Sequence, residues 1–407
     1  MAINDPESEP LSLLVATQSD VRLVSRNGNT TQIMNALNVR AIDIDYSKRK
    51  FCYVHHNITK SGLVCVSADD FSKRTVFDSP ALLPDVSGVS HLAIDWVSNN
   101  WYLVESVGDA LYVCSWSLAH CRLLADTGLD KTHGFALDPA AGFMFWTVWG
   151  ASPPMVERAT LSGEERTSLA SMKLVYPSAV TLDPATRSVY WADAYLECVE
   201  RADYSGENRR TVRRGYSTQK LQHISILETT LYLPVWTNRT IAEVSRYSRV
   251  RAREDLQLDA RPTSVLVFHR QRQPKLDHPC ARSNGGCQHI CITAFNDSNP
   301  RAHCMCKHGY RVVGHGNCVR VEADSYLVVA RGSPAMVQAL SLRGSGSAEG
   351  AWEPAAPATA AARPTAADVD IAGRYLYYCD VHKYEIVRQK LDGTGREVFV
   401  GQDVDNC

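Results

Sequence analysis

Thirteen cysteines and thirteen histidines are the residues of this 407-residue chain best equipped for chemistry. Six of the cysteines, Cys280, Cys287, Cys291, Cys304, Cys306 and Cys318, fall within a stretch of 39 residues. So short a segment cannot bury enough apolar surface to hold its own fold, and it needs cross-links. Disulfides and a zinc site are the two chemistries open to it. Structural zinc sites favour paired C-x2-C units, which are missing, so disulfides are expected, and with them a compartment outside the reducing cytosol. Cys304 and Cys306 sit two apart, point to opposite sides of an extended chain and are not expected to pair with each other. Cys52 and Cys65 flank a strand–turn–strand and are placed to bridge.

Catalytic signatures are missing from the sequence. There is no G-x-S-x-G, no H-E-x-x-H and no G-x-x-x-x-G-K-[ST]. The Gly-rich run "GSGSAEG" (344–350) lies beside an Ala/Pro-rich stretch and reads as a loop, not a phosphate cradle. His55, His56, His91 and His269 are candidates for a pH response, since histidine changes charge between about pH 5 and 8; scattered surface or core histidines are the plainer reading. Arg249, Arg251 and Arg253 share one face if extended, with Arg209, Arg210, Arg213 and Arg214 upstream, and would suit a sulfated glycan. A solvated face competes with that reading. A formal net charge of −1 argues against a nucleic-acid partner. Four N-x-S/T sequons, at Asn29, Asn57, Asn238 and Asn296, fit a secretory route. The N-terminal "MAINDPESEP" lacks the basic and apolar regions of a signal peptide, and no run approaches a membrane span. The expectation is a piece of an extracellular protein whose leader and anchor lie elsewhere.

The elements that would carry these residues repeat. A short apolar strand ending in an acid or its stand-in appears six times, at Asp45, Asp95, Asp138, Asp183, Glu228 and His269, in steps of 50, 43, 45, 45 and 41 residues. Five are followed by an aromatic-containing strand: "CYVH" (52–55), "YLVE" (102–105), "FWTV" (145–148), "YWAD" (190–193) and "YLPV" (232–235). Several short strands per repeat, with no long helical period, describe the blades of a β-propeller. Both faces of a blade are covered, which explains adjacent bulky residues such as Tyr190 and Trp191. The sixth first strand lacks its successors, and "LSLLVATQSDVRLVS" (11–25) looks like a second and third strand without a first. Joining the two closes the ring and removes open sheet edges.

The expected order is therefore a tail (1–10), a six-bladed all-β propeller (11–274), a cysteine module (275–319) and the start of a second propeller (320–407). That last part begins with an orphan strand pair (324–342), continues through an Ala/Pro-rich loop (347–370) and reaches an aromatic strand "YYCD" (377–380).

The repeated strand resembles the YWTD (class B) repeat of the low-density lipoprotein receptor family. "FHRQRQP" (268–274) is similar to that family's exit from blade six into an EGF-like module, and the order propeller, EGF, propeller resembles its giant endocytic receptors. The resemblance implies the pairings Cys280–Cys291, Cys287–Cys304 and Cys306–Cys318, and, from "VCSWSLAHC", Cys114–Cys121. It makes Tyr190, Trp191 and Asp193, Tyr377 and Asp380, and the conservative Glu105 the blade motif, whose acid ties neighbouring blades together. The acid is replaced at His55, Val148 and Val235, so three blades are expected to lack the tie. The stretch before the first module cysteine, "KLDHPC", does not match the acidic pattern of calcium-binding EGF modules, and no cofactor is expected. The implied function is a non-catalytic extracellular scaffold of an endocytic receptor, which binds, spaces and releases protein ligands on the cell surface and in endosomes. Its partners would be those ligands and neighbouring receptor modules, with sulfated glycans as a further class. Any membrane contact would run through segments absent from this chain. The alternatives are a matrix propeller–EGF protein of nidogen type and a propeller hydrolase with a metal in its channel.

Overall fold

The computed structural model describes residues 11–35, 39, 41–55, 62–77, 88–105, 109–215, 223–247, 255–296, 299–320, 326–332, 335–341, 358 and 361–401. These form seven four-stranded and three two-stranded antiparallel sheets. Counting blades from the first complete repeat, blade one covers strands from Ile42–Asp45 to Arg74–Phe77, blade two His91–Asp95 to Cys121–Ala125, and blade three Thr132–Asp138 to Thr167–Ala170. Blade four runs from Pro177–Asp183 to Arg210–Arg214, and blade five from Ser225–Leu227 to Leu256–Gln257. Blade six joins Pro262–Phe268 to the three N-terminal strands, with Val267 opposite Leu13 and Val265 opposite Val15. The first strands neighbour one another in cyclic order, the last against the first, so the ring is complete.

Six apolar clusters fill the six gaps between blades. Tyr190 belongs to the gap between blades four and five, and Trp191 to the gap between three and four. The period of two sends each ring to its own side. Both are almost fully buried, as is Trp146, the equivalent of Trp191 in blade three.

Buried carboxylates stitch the connections. At the ends of three first strands an acid accepts turn N–H groups: Asp45 from Lys48 at 2.9 Å, Asp95 from Val97 and Ser98 at 2.9 and 3.1 Å, and Asp138 from Ala140 and Ala141 at 3.0 and 3.2 Å. At the end of the second strand, Asp193 accepts from Val175 and Tyr176 (2.8 and 3.2 Å) in the incoming connection, and from Tyr195 and Leu196 (3.0 and 2.9 Å) in its own turn. Asp380 repeats the pattern with Ala362, Arg363 and His382 at 2.6, 3.0 and 3.1 Å. Burial works against the Asp380 carboxylate, yet these N–H donors outweigh it and hold the carboxyl below its ordinary range. Glu105 packs on Gly88 of its incoming connection, where a Cβ would fall 2.6 Å from a carboxylate oxygen.

Blade three, with Val148 in place of the acid, does not go without a tie. Asp109 of blade two accepts from Gly128 and Leu129 of the same incoming connection. A second, unexpected brace accompanies it. Arg166 pairs with Glu157 at 2.6 Å and donates to the carbonyls of Thr127 and Gly128, both at 2.7 Å. Arg209 does the same in blade four, pairing with Glu200 at 2.6 Å and donating to Met172 and Lys173. The guanidinium groups lie over Trp146 and Trp191.

The cysteine module contains disulfides Cys280–Cys291, Cys287–Cys304 and Cys306–Cys318, a hairpin of Ile290–Asn296 with Asn299–Met305, and a smaller one of Tyr310–Val313 with Asn317–Arg320. Gly285 adopts φ +59°, and a Cβ there would lie 2.6 Å from Cys291 Sγ, so only glycine fits. Two further bridges, Cys52–Cys65 and Cys114–Cys121, cross directly paired strands. Cys379 is disulfide-bonded, whereas Cys198 is a buried free thiol pushed up to about 11 by burial and by the neighbouring Glu200 and Asp193.

The second unit departs from expectation in one place. Residues 364–370, assigned to the Ala/Pro-rich loop, form the strand Pro364–Asp370, paired with Tyr375–Asp380. Alanine-rich composition hid a register whose alternate residues Ala367 and Val369 pack on the hairpin Tyr326–Gly332/Ala335–Ser341. Of the remainder of that loop only Ala358 and residues 361–363 are described, and Ala358 bridges to Val337.

Candidate functional site

Because all six first strands run the same way, the ring has two distinct faces. Where the first strands begin, the incoming connections and the turns after each second strand emerge; this is the start face. The turns after each first strand emerge on the opposite, end face.

The end face is sealed. After Phe268 a short 3-10 turn, Arg270–Arg272, crosses the channel. Arg272 donates to the Leu182 carbonyl of blade four at 2.5 Å. Gln273 donates to the Ile44 carbonyl at 2.6 Å and accepts from Tyr46 N–H at 2.7 Å, both on blade one, across the ring. A channel cavity of about 80 Å³ remains, lined by first-strand residues of every blade. Among the described lining residues Asp43 is the one carboxylate, and it faces Arg272. One acid opposite a guanidinium is a poor cation site and a poor acid–base pair.

Asp43 lines that cavity, and burial pushes its carboxyl up to about 7, against the pull of the Ile94 and Ile44 N–H groups and Arg272. Its Oδ2 accepts from Ile94 N–H at 2.8 Å, linking blades one and two. A folded-state pKa above the unfolded value gives a contribution present in full below about pH 4 and lost as pH rises through about 7. Asp43→Asn keeps an acceptor and removes the charge. It is expected to be more stable than the parent by about 1–2 kcal/mol at pH 8 and to flatten the profile between pH 6 and 8. Urea midpoints across that range check this; parallel profiles for the two chains would contradict it.

The start face is different in character. His91 and His223 from opposite blades narrow the channel mouth, with ring centroids 6.0 Å apart. His223 is held by Ser264 Oγ at 3.2 Å, and burial pushes it down to about 4. Beside them His133 bonds the Tyr176 hydroxyl at 3.0 Å, Tyr176 packs on Trp149 at 4.7 Å, and Lys131 lies over Trp149. On the rim stand Met172, Val175 and Tyr195, exposed by 76%, 42% and 73%. Asp193 brings them together, since it bonds both the connection carrying Val175 and the turn carrying Tyr195. The rim therefore offers aromatic and apolar anchors on a rigid frame, the composition of a protein-recognition surface.

The expected site residues are distributed as follows. Asn29 and Asn238 are exposed in turns, consistent with glycan acceptors. Asn57, His56, Arg249, Arg251 and Arg253 lie outside the described residues, as do the side chains of Asn296 and His55. His91 is engaged with the His133 carbonyl at 2.8 Å, and His269 Nδ1 accepts from Gln271 N–H at 3.3 Å. Arg209 is committed to the brace described above and does not join an anion patch. His289, Cys306 and Cys318 come within reach of one another, but the two sulfurs are bonded together. The rim was missed in the sequence because Met172, Val175, Tyr195 and Trp149 belong to four separate positions with no common spacing.

No family model matches the chain. It is 29% identical over 245 residues to the vitellogenin receptor Yl of Drosophila melanogaster, a match covering 59% of this chain and 12% of that protein. The chain thus spans a small part of the relative it matches. Among solved structures it resembles a chain of the nidogen/laminin complex, with a TM-score of 0.57 and 18% identity over 64% of this chain and 98% of that one. It also resembles TolB from Acinetobacter baumannii, with a TM-score of 0.50 and 12% identity over 64% of this chain and 66% of that one. Both likenesses concern the fold. The chain is an all-β propeller protein whose sequence resembles that receptor over the 245 matched residues.

Proposed function

We propose that this chain is an extracellular segment of an endocytic receptor and acts as a non-catalytic scaffold that presents its start face to a protein ligand. The observation that carries the reading is the contrast between the two faces: the end face is sealed by Arg272 and Gln273, and the start face holds exposed aromatic and apolar side chains on a braced rim. The relative is a receptor by name, and a structural neighbour is a chain from a complex of two proteins. Among the described residues no helix is long and apolar enough to cross a membrane. In this reading, residues 11–274 form the ligand-presenting propeller, 275–319 the EGF-like module and 320–407 the beginning of a second propeller.

Immobilised chain is expected to retain laminin or vitellogenin, the proteins named with its neighbours, without turning over ester, phosphoester or glycoside substrates. Hydrolysis that disappears in Asp43→Asn would instead assign a propeller hydrolase. The nidogen-type matrix reading shares the same face and differs in the modules that flank it.

A further inference from the structure

Asn29 and Asn238 lie on opposite sides of the ring. Asn29 sits between Asp20–Ser25 and Thr30–Asn35, in a turn that opens on the end face, whereas Asn238 sits between Thr230–Val235 and Thr240–Ser245, in a turn that opens on the start face. The Asn238 turn is pinned by its own blade. Gln257 donates to the Asn238 carbonyl at 3.3 Å, and Leu258 N–H donates to the Arg239 carbonyl at 2.8 Å. Asn238 is thereby held exposed at the rim of blade five.

Thr240, the third residue of this sequon, carries the stronger signal. It is 6% exposed, paired with Val235 and Gln257 in the sheet, and among the described residues its buried Oγ1 has no hydrogen-bond partner. An unpartnered buried hydroxyl weakens a fold, and valine has the same shape without that cost. Folding makes no use of this hydroxyl. Acceptance of an N-glycan does, because the N-x-S/T acceptor needs the hydroxyl two places after the asparagine, and the nascent chain offers it before Thr240 is buried. A local rule broken without structural gain marks a residue with another purpose.

We propose that Asn238 is an occupied N-glycosylation site whose glycan covers the blade five–six sector of the start face and leaves the sector of blades three and four open to a ligand. In the transfer, Asn238 Nδ2 bonds to C1 of an oligosaccharide carried on a polyprenyl diphosphate. The C1–O bond breaks, and the departing diphosphate takes up the proton that the amide loses. The covered sector is charged and internally satisfied. Arg261 lies over Trp236 at 5.5 Å, Arg239 donates to the Asp259 carbonyl at 3.4 Å, and Arg22 pairs with Asp20 and Asp259. A bulky, hydrated glycan lies over such groups without burying apolar surface. The exposed anchors Met172, Val175 and Tyr195 stand one blade away, Tyr195 and Thr237 holding the same place in successive turns.

Occupancy of Asn238 is independent of the ligand reading; only the role of the open sector rests on it. The full chain, secreted from animal cells behind a leader, is expected to give the Asn238 peptide mainly in glycosylated form by mass spectrometry. In hydroxyl-radical footprinting, Trp236 should be oxidised about threefold or more faster in Asn238→Gln than in the parent, with Tyr195 unchanged. Thr240→Val should lose the same glycan and melt no lower than Asn238→Gln, whereas Thr240→Ser should retain it. Unmodified Asn238 in the secreted parent, Trp236 oxidation equal in parent and Asn238→Gln, or a Thr240→Val chain that melts well below Asn238→Gln would overturn the proposal. None of these readouts uses a ligand, so a failure of ligand binding leaves them standing.

Discussion

Asp193→Ala is expected to cost about 3 kcal/mol of folding stability, a drop of roughly 6–12 °C in the thermal midpoint. The carboxylate is fully buried and accepts from four backbone N–H groups, of Val175, Tyr176, Tyr195 and Leu196. Alanine offers none of them a partner, and each lost bond to a charged acceptor contributes about 1.5–3 kcal/mol before water recovers part of it. Two of the four donors belong to the connection from blade three, so the loss extends beyond one turn. Asp193→Asn keeps one acceptor oxygen and should cost about half as much. Val148 shows why a wild-type blade can dispense with the acid. Asp109 and Arg166 already hold the connection there, and Val148→Asp should gain little. Urea midpoints of the three variants give the order; an Asp193→Ala chain as stable as the parent would remove the tie as a structural principle of this ring.

The second large effect is expected at the channel seal. Arg272→Ala should destabilise the propeller by about 3–5 kcal/mol, because it breaks a buried charge contact and leaves Asp43 facing an uncompensated cavity. Arg272 donates to blade four and Gln273 to blade one, so the pair spans the ring and holds opposite blades together. Asp43→Asn should recover part of the loss in the Arg272→Ala background, since the unpaired acid is then gone. A double-mutant cycle measures that coupling. Simple additivity would mean that the two side chains share the cavity without interacting.

The fold was legible where spacing carried it. The first-strand acids mark the blade repeat, and the orphan strands at 11–25 pointed to the closure made by Val267 with Leu13. The adjacent rings of Tyr190 and Trp191 announced two covered faces, and the clusters on either side of blade four fill them. The strand Pro364–Asp370 was not legible, because proline, alanine and aspartate carry little strand signal and the pattern is completed only by its partner Tyr375–Asp380. The braces Glu157–Arg166 and Glu200–Arg209 share a spacing of nine residues. That repeat is readable in hindsight, but it acquires meaning only when the connecting carbonyls are in place. The rim and the stacking of His120 on His289 were hidden for a deeper reason. Met172, Val175 and Tyr195 meet through Asp193, and His120 meets His289 across 169 positions of sequence, so neither leaves a local pattern.

The most direct test of the scaffold reading is binding of laminin and vitellogenin to the intact chain by biolayer interferometry, with Trp149→Ala/Tyr195→Ala on the rim compared with Val76→Asp on an exposed outer strand. Anchors of this kind contribute about 2 kcal/mol or more. The account predicts retention of at least one of the two proteins, a loss of roughly thirtyfold or more in the rim variant with its fold intact, and no change for Val76→Asp. Retention of neither protein, or equal affinity for parent and rim variant, would contradict it.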